Sequence, residues 1–174
     1  MSLKNNTFLK YSNEYFIETG CYIGDGIDCA IEANFNKIIS IELSNKYYQI
    51  CVDKYKDNDK VNIILGDSAV ILYNIIKDIN STITFWLDGH YSYGDTALGL
   101  YISPLIQELE QINKHHIKNH ILIIDDVRLW NNVEFGWSNK SDVLNKIKEI
   151  NNNYTIIFED GEVENDILIA FVKN

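Results

Sequence analysis

Two apolar runs of this 174-residue chain end in carboxylates, and a histidine follows one of them. The run Ile83–Leu87 leads into Asp88-Gly89-His90, and the run beginning at His120 ends in Ile124-Asp125-Asp126. If these runs are neighbouring parallel strands, Asp88, Asp125 and Asp126 arrive at one edge of a sheet. Carboxylates so clustered repel one another unless a cation sits between them. Oxygen ligands of this kind suit Mg²⁺ or a similar hard divalent ion. The plainer alternative is that these acids cap loops or accept backbone amides. His90 stands two residues beyond Asp88, where an imidazole can take a proton near neutral pH or can be merely structural.

A second set of residues points to a ligand of another kind. Glu18-Thr-Gly20-Cys-Tyr-Ile-Gly24-Asp-Gly26 follows the first apolar run. Glycines there let the backbone turn sharply and approach a ligand closely. The spacing is not the Gly-x-Gly-x-x-Gly of dinucleotide binders. Glu42 ends the second apolar run, twenty-two residues after Gly20, and a carboxylate there can accept two hydrogen bonds from a ribose diol. Gly66-Asp67-Ser68 follows the third run. Asp67 is either a ligand contact or the N-cap of the next helix.

The elements that must position these residues alternate regularly. Strands are predicted at Tyr15–Thr19, Lys37–Glu42, Val61–Leu65, Ile83–Leu87 and His120–Asp125. Helices are predicted between them, at Asp25–Asn34, from Ser44 to about Lys56, and from Ser68 to about Asp78. Ser103-Pro104 reads as an N-cap and first helical residue, opening a helix to about Lys114. Ser141 can cap a further helix with Val143, Leu144, Ile147 and Ile150 facing inward. Alternation of this kind means a parallel sheet with helices on both faces. Two strands close the chain, Tyr154–Glu159 and Ile167–Val172. The connection Asp160–Asp166 is too short for a crossover helix, so the last strand must run antiparallel. The expected fold class is α/β, a Rossmann-like doubly wound sheet of seven strands in one domain spanning residues 1–174.

Composition narrows the classes further. A hydrophobic fraction of 46% with 23% charged residues belongs to a globular chain. The apolar runs are too short to span a bilayer and the first ten residues lack a secretory core, so a cytoplasmic protein is expected. Net charge is −10, with 15 basic against 25 acidic residues and a single arginine, Arg128. This disfavours nucleic acid as a partner. Cys21, Cys29 and Cys51 lack zinc-type spacing and are expected as buried thiols. His115, His116 and His120 fall near a polar turn and are expected at the surface. The long segment Tyr91–Tyr101 is expected to form a loop over the site, with Trp130 and Trp137 as another wall.

The glycine loop resembles motif I of class I S-adenosylmethionine-dependent methyltransferases, and the resemblance extends from Tyr15 to Val172. It implies strand order 3-2-1-4-5-7-6 with the last strand reversed. It implies that Glu18, Gly20, Tyr22, Ile23 and Gly24 surround the amino-acid end of the cofactor, that Glu42 holds the ribose, and that Asp67 and Ser68 lie at the adenine. The acids after the fourth and fifth strands resemble those of metal-dependent O-methyltransferases. That likeness implies a metal on Asp88, Asp125 and Asp126, and His90, read above as a possible proton acceptor, then stands beside Asp88 as the candidate catalytic pair. The acceptor is then a small hydroxylated molecule or a sugar. Many such relatives carry extra N-terminal helices over the cofactor, whereas here only fourteen residues precede the first strand. The covering element must be Tyr91–Tyr101, the stretch after Asp126, or a second subunit in a homo-oligomer. Two rivals remain. One is a nicotinamide-dependent dehydrogenase, and the other is a methyltransferase-like binding protein without turnover.

Overall fold

The computed structural model describes residues 3–132 and 136–173. Seven strands form one sheet: β1 (Tyr15–Thr19), β2 (Lys37–Glu42), β3 (Val61–Leu65), β4 (Ile83–Leu87), β5 (Ile121–Ile124), β6 (Thr155–Glu159) and β7 (Ile167–Phe171). Their order is β3-β2-β1-β4-β5-β7-β6. The first five strands pair in parallel, while β7 runs antiparallel to both β5 and β6. This is the expected doubly wound sheet with its last strand reversed. The chain order reverses direction between β1 and β4, and such a switch point opens a crevice at the carboxyl ends of the strands.

Six helices flank the sheet: α1 (Leu3–Lys10), α2 (Asp25–Glu32), α3 (Asn45–Tyr55), α4 (Ser68–Ile76), α5 (Leu105–Lys114) and α6 (Lys140–Ile150). Successive strand residues point to opposite faces, so each buried strand feeds two cores. Ile17, Phe85 and Leu87 join α4, α5 and α6 on one face. Phe16, Trp86 and Ile123 join α1, α2 and α3 on the other. Trp86, 1% exposed, packs edge-on to Phe8 of α1. Among the described residues no helix is long and apolar enough to cross a membrane.

Several boundaries and one element differ from expectation. Helix α1 was not anticipated. Among its described side chains Phe8 is the buried apolar one, beside the buried Thr7, with Tyr11 just beyond its end, too little for a periodic signal. Pro104 takes the N-cap position and α5 begins at Leu105, one residue later than expected. Asn139, not Ser141, caps α6, because its side chain accepts the Ser141 N–H. The expectation that all three histidines near β5 lie at the surface is corrected. His115 and His120 are buried, and only His116 is exposed. Ile83 N–H donates to His120 Nδ1 at 3.1 Å, and His120 Nε2 lies 2.9 Å from His115 Nδ1. A polar residue is tolerated there because it satisfies a strand-end amide.

Candidate active site

The loop after β1 is built by close contacts. Gly20 has φ +80, and a Cβ there would lie 2.9 Å from the Asp88 carbonyl oxygen. Only glycine combines that backbone with that approach. A Cβ on Gly26 would lie 1.9 Å from Glu18 Oε1. Glu18 is buried beneath the loop and accepts the Ser40 hydroxyl at 2.5 Å. It supports the loop from below. Helix α3 clamps the same loop from the side. Tyr55 donates its hydroxyl to the Gly24 carbonyl, Lys54 donates to the Ile23 carbonyl, and the Cys51 thiol faces the Tyr22 carbonyl.

Glu42 ties β2 to this loop. Its Oε2 accepts the N–H groups of Cys21 at 3.0 Å and Tyr22 at 3.1 Å, and its Oε1 accepts Ser44 N–H at 2.7 Å. A carboxylate offers about four acceptor directions, so room is left for a ligand donor. Asp67 is the N-cap of α4, its Oδ1 accepting Ala69 N–H at 2.9 Å.

These residues border a cavity of about 460 Å³ at the carboxyl edge of the sheet. That size lies within the range typical of small-molecule and cofactor sites. Of the residues singled out by sequence, Gly20, Tyr22, Glu42, Asp67, Ser68, Asp88 and His90 line it. Glu18, Ile23 and Gly24 shape the loop but are not on the cavity wall. The segment 91–101 forms the outer wall, as expected. Tyr91 N–H donates to the Ile102 carbonyl, closing the base of the segment. Asp95 then reaches α3, accepting the Tyr47 hydroxyl at 2.8 Å and pairing with Lys46. Leu100 N–H reaches Asp67 Oδ2 at 3.4 Å. The segment is thus a strap tied down on the far side of the cavity.

At the other end lies the acidic edge. His90 Nε2 is 3.0 Å from Asp126 Oδ2, and Nδ1 is 3.5 Å from Asp88 Oδ1. The Trp137 ring packs on the imidazole at 4.9 Å, forming the second wall, while Trp130 is buried in the core. Ligand atoms of Asp88, His90 and Asp126 all lie within 4.8 Å of one another, as do those of Asp125, Asp126 and Asp166. The three aspartates singled out by sequence therefore fall into two groups sharing Asp126. The second group already encloses a cation. Arg128 lies 2.5 Å from Asp126 Oδ1 and also pairs with Asp166 and Glu162. The first group supplies two hard oxygen donors and an imidazole, a set that fits a divalent ion.

Sequence reading missed several residues of the site. Glu108 of α5 is 1% exposed and accepts the Ser68 hydroxyl at 2.5 Å. Burial pushes its carboxyl up to about 7. Its signal was an acid on the apolar stripe between Leu105 and Ile112. Asp166, 0% exposed, carried only the signal of an acid abutting a strand. Asp95 was expected in the loop over the site, but its meeting with Tyr47 across the cavity was not, since no local pattern reveals such a pairing.

No family model matches the sequence, and no curated protein matches it either. Solved structures match over nearly the whole chain. A protein from Clostridium thermocellum, provisionally described as an rRNA methylase, aligns with TM-score 0.65 at 16% identity, covering 98% of this chain and 95% of that one. The O-methyltransferase TomG from Streptomyces achromogenes, in complex with SAM, aligns with TM-score 0.65 at 11% identity, covering 99% and 78%. The O-methyltransferase from Bacillus cereus, in complex with SAH, aligns with TM-score 0.64 at 15% identity, covering 98% and 79%. With the strand order above, these alignments show that the chain has the fold of the S-adenosylmethionine-dependent methyltransferases.

Proposed function

We propose that the chain is an S-adenosylmethionine-dependent methyltransferase acting on a hydroxyl oxygen of a small molecule or sugar. The observation that carries this reading is a single cavity that runs from the Gly20 loop and Glu42 to Asp88 and His90. Glu42 offers its remaining acceptor capacity to a ribose. Gly20 and Tyr22 border the amino-acid end, with Glu18, Ile23 and Gly24 holding the loop from behind. Asp67 and Ser68 border the adenine. When bound, the cofactor presents an electrophilic methyl carbon, which bonds to the acceptor oxygen as the C–S electron pair stays on sulfur. The chain's part is to align that oxygen and remove its proton. Nε2 of His90 faces Asp126, and Nδ1, 3.5 Å from Asp88 Oδ1, is the nitrogen assigned to receive that proton.

A divalent ion held among Asp88, Asp125 and Asp126 belongs to the same reading, and such an ion would acidify a bound hydroxyl. The shared placement of Asp88 and Asp126 supports it. The Arg128 contact with Asp126 supports a second reading, in which His90 works as a base without metal. Activity against hydroxylated acceptors, with and without a chelator, separates the two. Calorimetry with SAH tests the common core. Tight binding of NAD and none of SAH would replace the reading with the dehydrogenase. SAH binding without methyl transfer to any acceptor would leave a binding protein.

A further inference from the structure

Asp126 has its two oxygens engaged in opposite directions. Oδ2 faces His90 Nε2 at 3.0 Å, a nitrogen that the Ser92 hydroxyl also meets at 2.9 Å, and Oδ1 faces Arg128 at 2.5 Å. The backbone of Asp126 is left-handed, φ 61 and ψ 38, and the short 3-10 turn Val127–Leu129 follows directly. That turn brings the guanidinium of Arg128 back beside the Asp126 side chain two residues earlier. Behind it stands Asp166. Besides pairing with Arg128, its carboxylate accepts the backbone N–H of Arg128 at 3.0 Å and of Glu162 at 3.2 Å, and its carbonyl accepts Val127 N–H at 2.9 Å. Asp166 is fully buried and so well fixed.

We propose that Arg128 and Asp166 are positioning residues, which hold Asp126 so that it fixes the ring orientation and tautomer of His90. This rests on the reading of His90 as the proton acceptor. Charge alternates along Asp166, Arg128 and Asp126, and the imidazole of His90 ends the row. Without the guanidinium, Asp126 would stand close to Asp125 and Asp166 with no cation among them, and like charges would turn it away from its present direction. Arginine suits the place because its planar fork serves several carboxylates at once. Here one nitrogen meets both Asp126 and Asp166 and the other meets Glu162. A lysine is a single point charge and cannot span them. An orienting acid behind a base is the usual way in which one imidazole nitrogen is kept protonated and the other kept open.

The test reads His90 directly and requires no knowledge of the acceptor. Long-range ¹⁵N–¹H correlation spectra of the full chain with SAH bound report the tautomer of each histidine, and His90→Gln identifies the His90 signals. In the wild type His90 is expected as the Nε2–H form. In Arg128→Lys, Arg128→Ala and Asp166→Asn it is expected as an averaged or Nδ1–H form, with SAH affinity within about twofold of wild type. Millimolar guanidinium is expected to restore the wild-type pattern in Arg128→Ala and not in Asp126→Ala. An unchanged His90 tautomer in folded Arg128→Lys overturns the proposal, and so does a loss of SAH affinity equal to the loss of tautomer order. If Arg128→Ala does not fold, the lysine and asparagine variants decide. Turnover then reads the underlying assignment separately. Wild-type turnover in His90→Gln would remove the base role while leaving the tautomer result standing. With the base role intact, Arg128→Lys is expected to lower kcat about tenfold or more with little change in KM.

Discussion

Glu108 and Ser68 meet 2.5 Å apart beneath the turn that carries Asp88 and His90. A Cβ on Gly89 would lie 3.1 Å from Glu108 Oε1 and 3.0 Å from Thr19 Oγ1. Glu108 therefore sits where the ends of β1 and β4 and the start of α4 converge. Among the described residues it has no basic partner, and burial raises its carboxyl to about 7.

This makes stability depend on pH in a definite direction. The folded state binds the Glu108 proton more tightly than the unfolded chain does. The contribution is complete below about 4.5 and is lost as pH rises through about 7. A shift of that size corresponds to on the order of 3 kcal/mol. Glu108→Gln keeps a hydrogen-bonding side chain of the same shape without the charge. Urea unfolding at pH 5 and pH 8 should show the variant gaining on the wild type as pH rises. Equal differences at both pH values would mean that Glu108 does not titrate in the folded state.

Glu42 supports the glycine loop as well as bordering the cavity. Its removal leaves the N–H groups of Cys21, Tyr22 and Ser44 without their acceptor. Glu42→Ala should cost about 1–3 kcal/mol of stability and weaken SAH binding about tenfold or more. Calorimetry and thermal unfolding check the two effects. Glu42→Gln keeps an acceptor oxygen for the loop and should recover more of the stability than of the affinity. Full SAH affinity in Glu42→Ala would remove Glu42 from the cofactor site.

The fold was legible in the sequence because its signals are local and repeated. Strands of β-branched and aromatic residues alternate with helical periods, and the short Asp160–Asp166 connection dictates a hairpin. Part of the cavity wall was legible for the same reason, since Gly20 follows β1, Glu42 ends β2 and Asp67 stands two residues after β3. What was hidden depends on residues distant in sequence. Arg128 was noticed only for being the chain's single arginine, and its role needs Asp166, 38 residues away. The buried pair His115 and His120 looked like a polar turn because the partner of His120, the Ile83 amide, is 37 residues away. The outer wall was located correctly, but its fastening to Tyr47 and Lys46 exists only in three dimensions.

That fastening should govern how long a ligand stays. Asp95 holds the strap to α3 through Tyr47 and Lys46, and the pair with Lys46 is largely exposed. An exposed pair is weak and screened by salt. Asp95→Ala should therefore leave the fold intact and raise the SAH dissociation rate by about two- to fivefold, an effect of the size expected for such a pair. Stopped-flow release of SAH by the wild type and Asp95→Ala measures it. High salt should narrow the difference. An unchanged off-rate would mean that the strap does not control exit.

His120 supplies a pH dependence opposite to that of Glu108. Burial, followed by the nearby His115 and Lys118, pushes its imidazole down to about 3. The fold needs the ring neutral, because Nδ1 accepts Ile83 N–H at the start of β4. In the unfolded chain the ring takes up a proton near 6.5. The stabilisation is complete above about 6.5 and is lost as pH falls toward 3. Across that window it amounts to on the order of 5 kcal/mol. His120→Leu should be less stable than the wild type at pH 7 by about 1–3 kcal/mol, because the Ile83 amide loses its acceptor inside the core. Its stability should nevertheless fall less steeply between pH 6.5 and pH 4, since no imidazole is left at that position to charge. The two titrations can be read apart, because Glu108→Gln removes the loss on the alkaline side and His120→Leu the loss on the acid side. Urea unfolding of both variants and the wild type at half-unit pH steps provides the measurement. A His120→Leu curve parallel to the wild type across pH 4–6.5 would show that another group drives the acid transition.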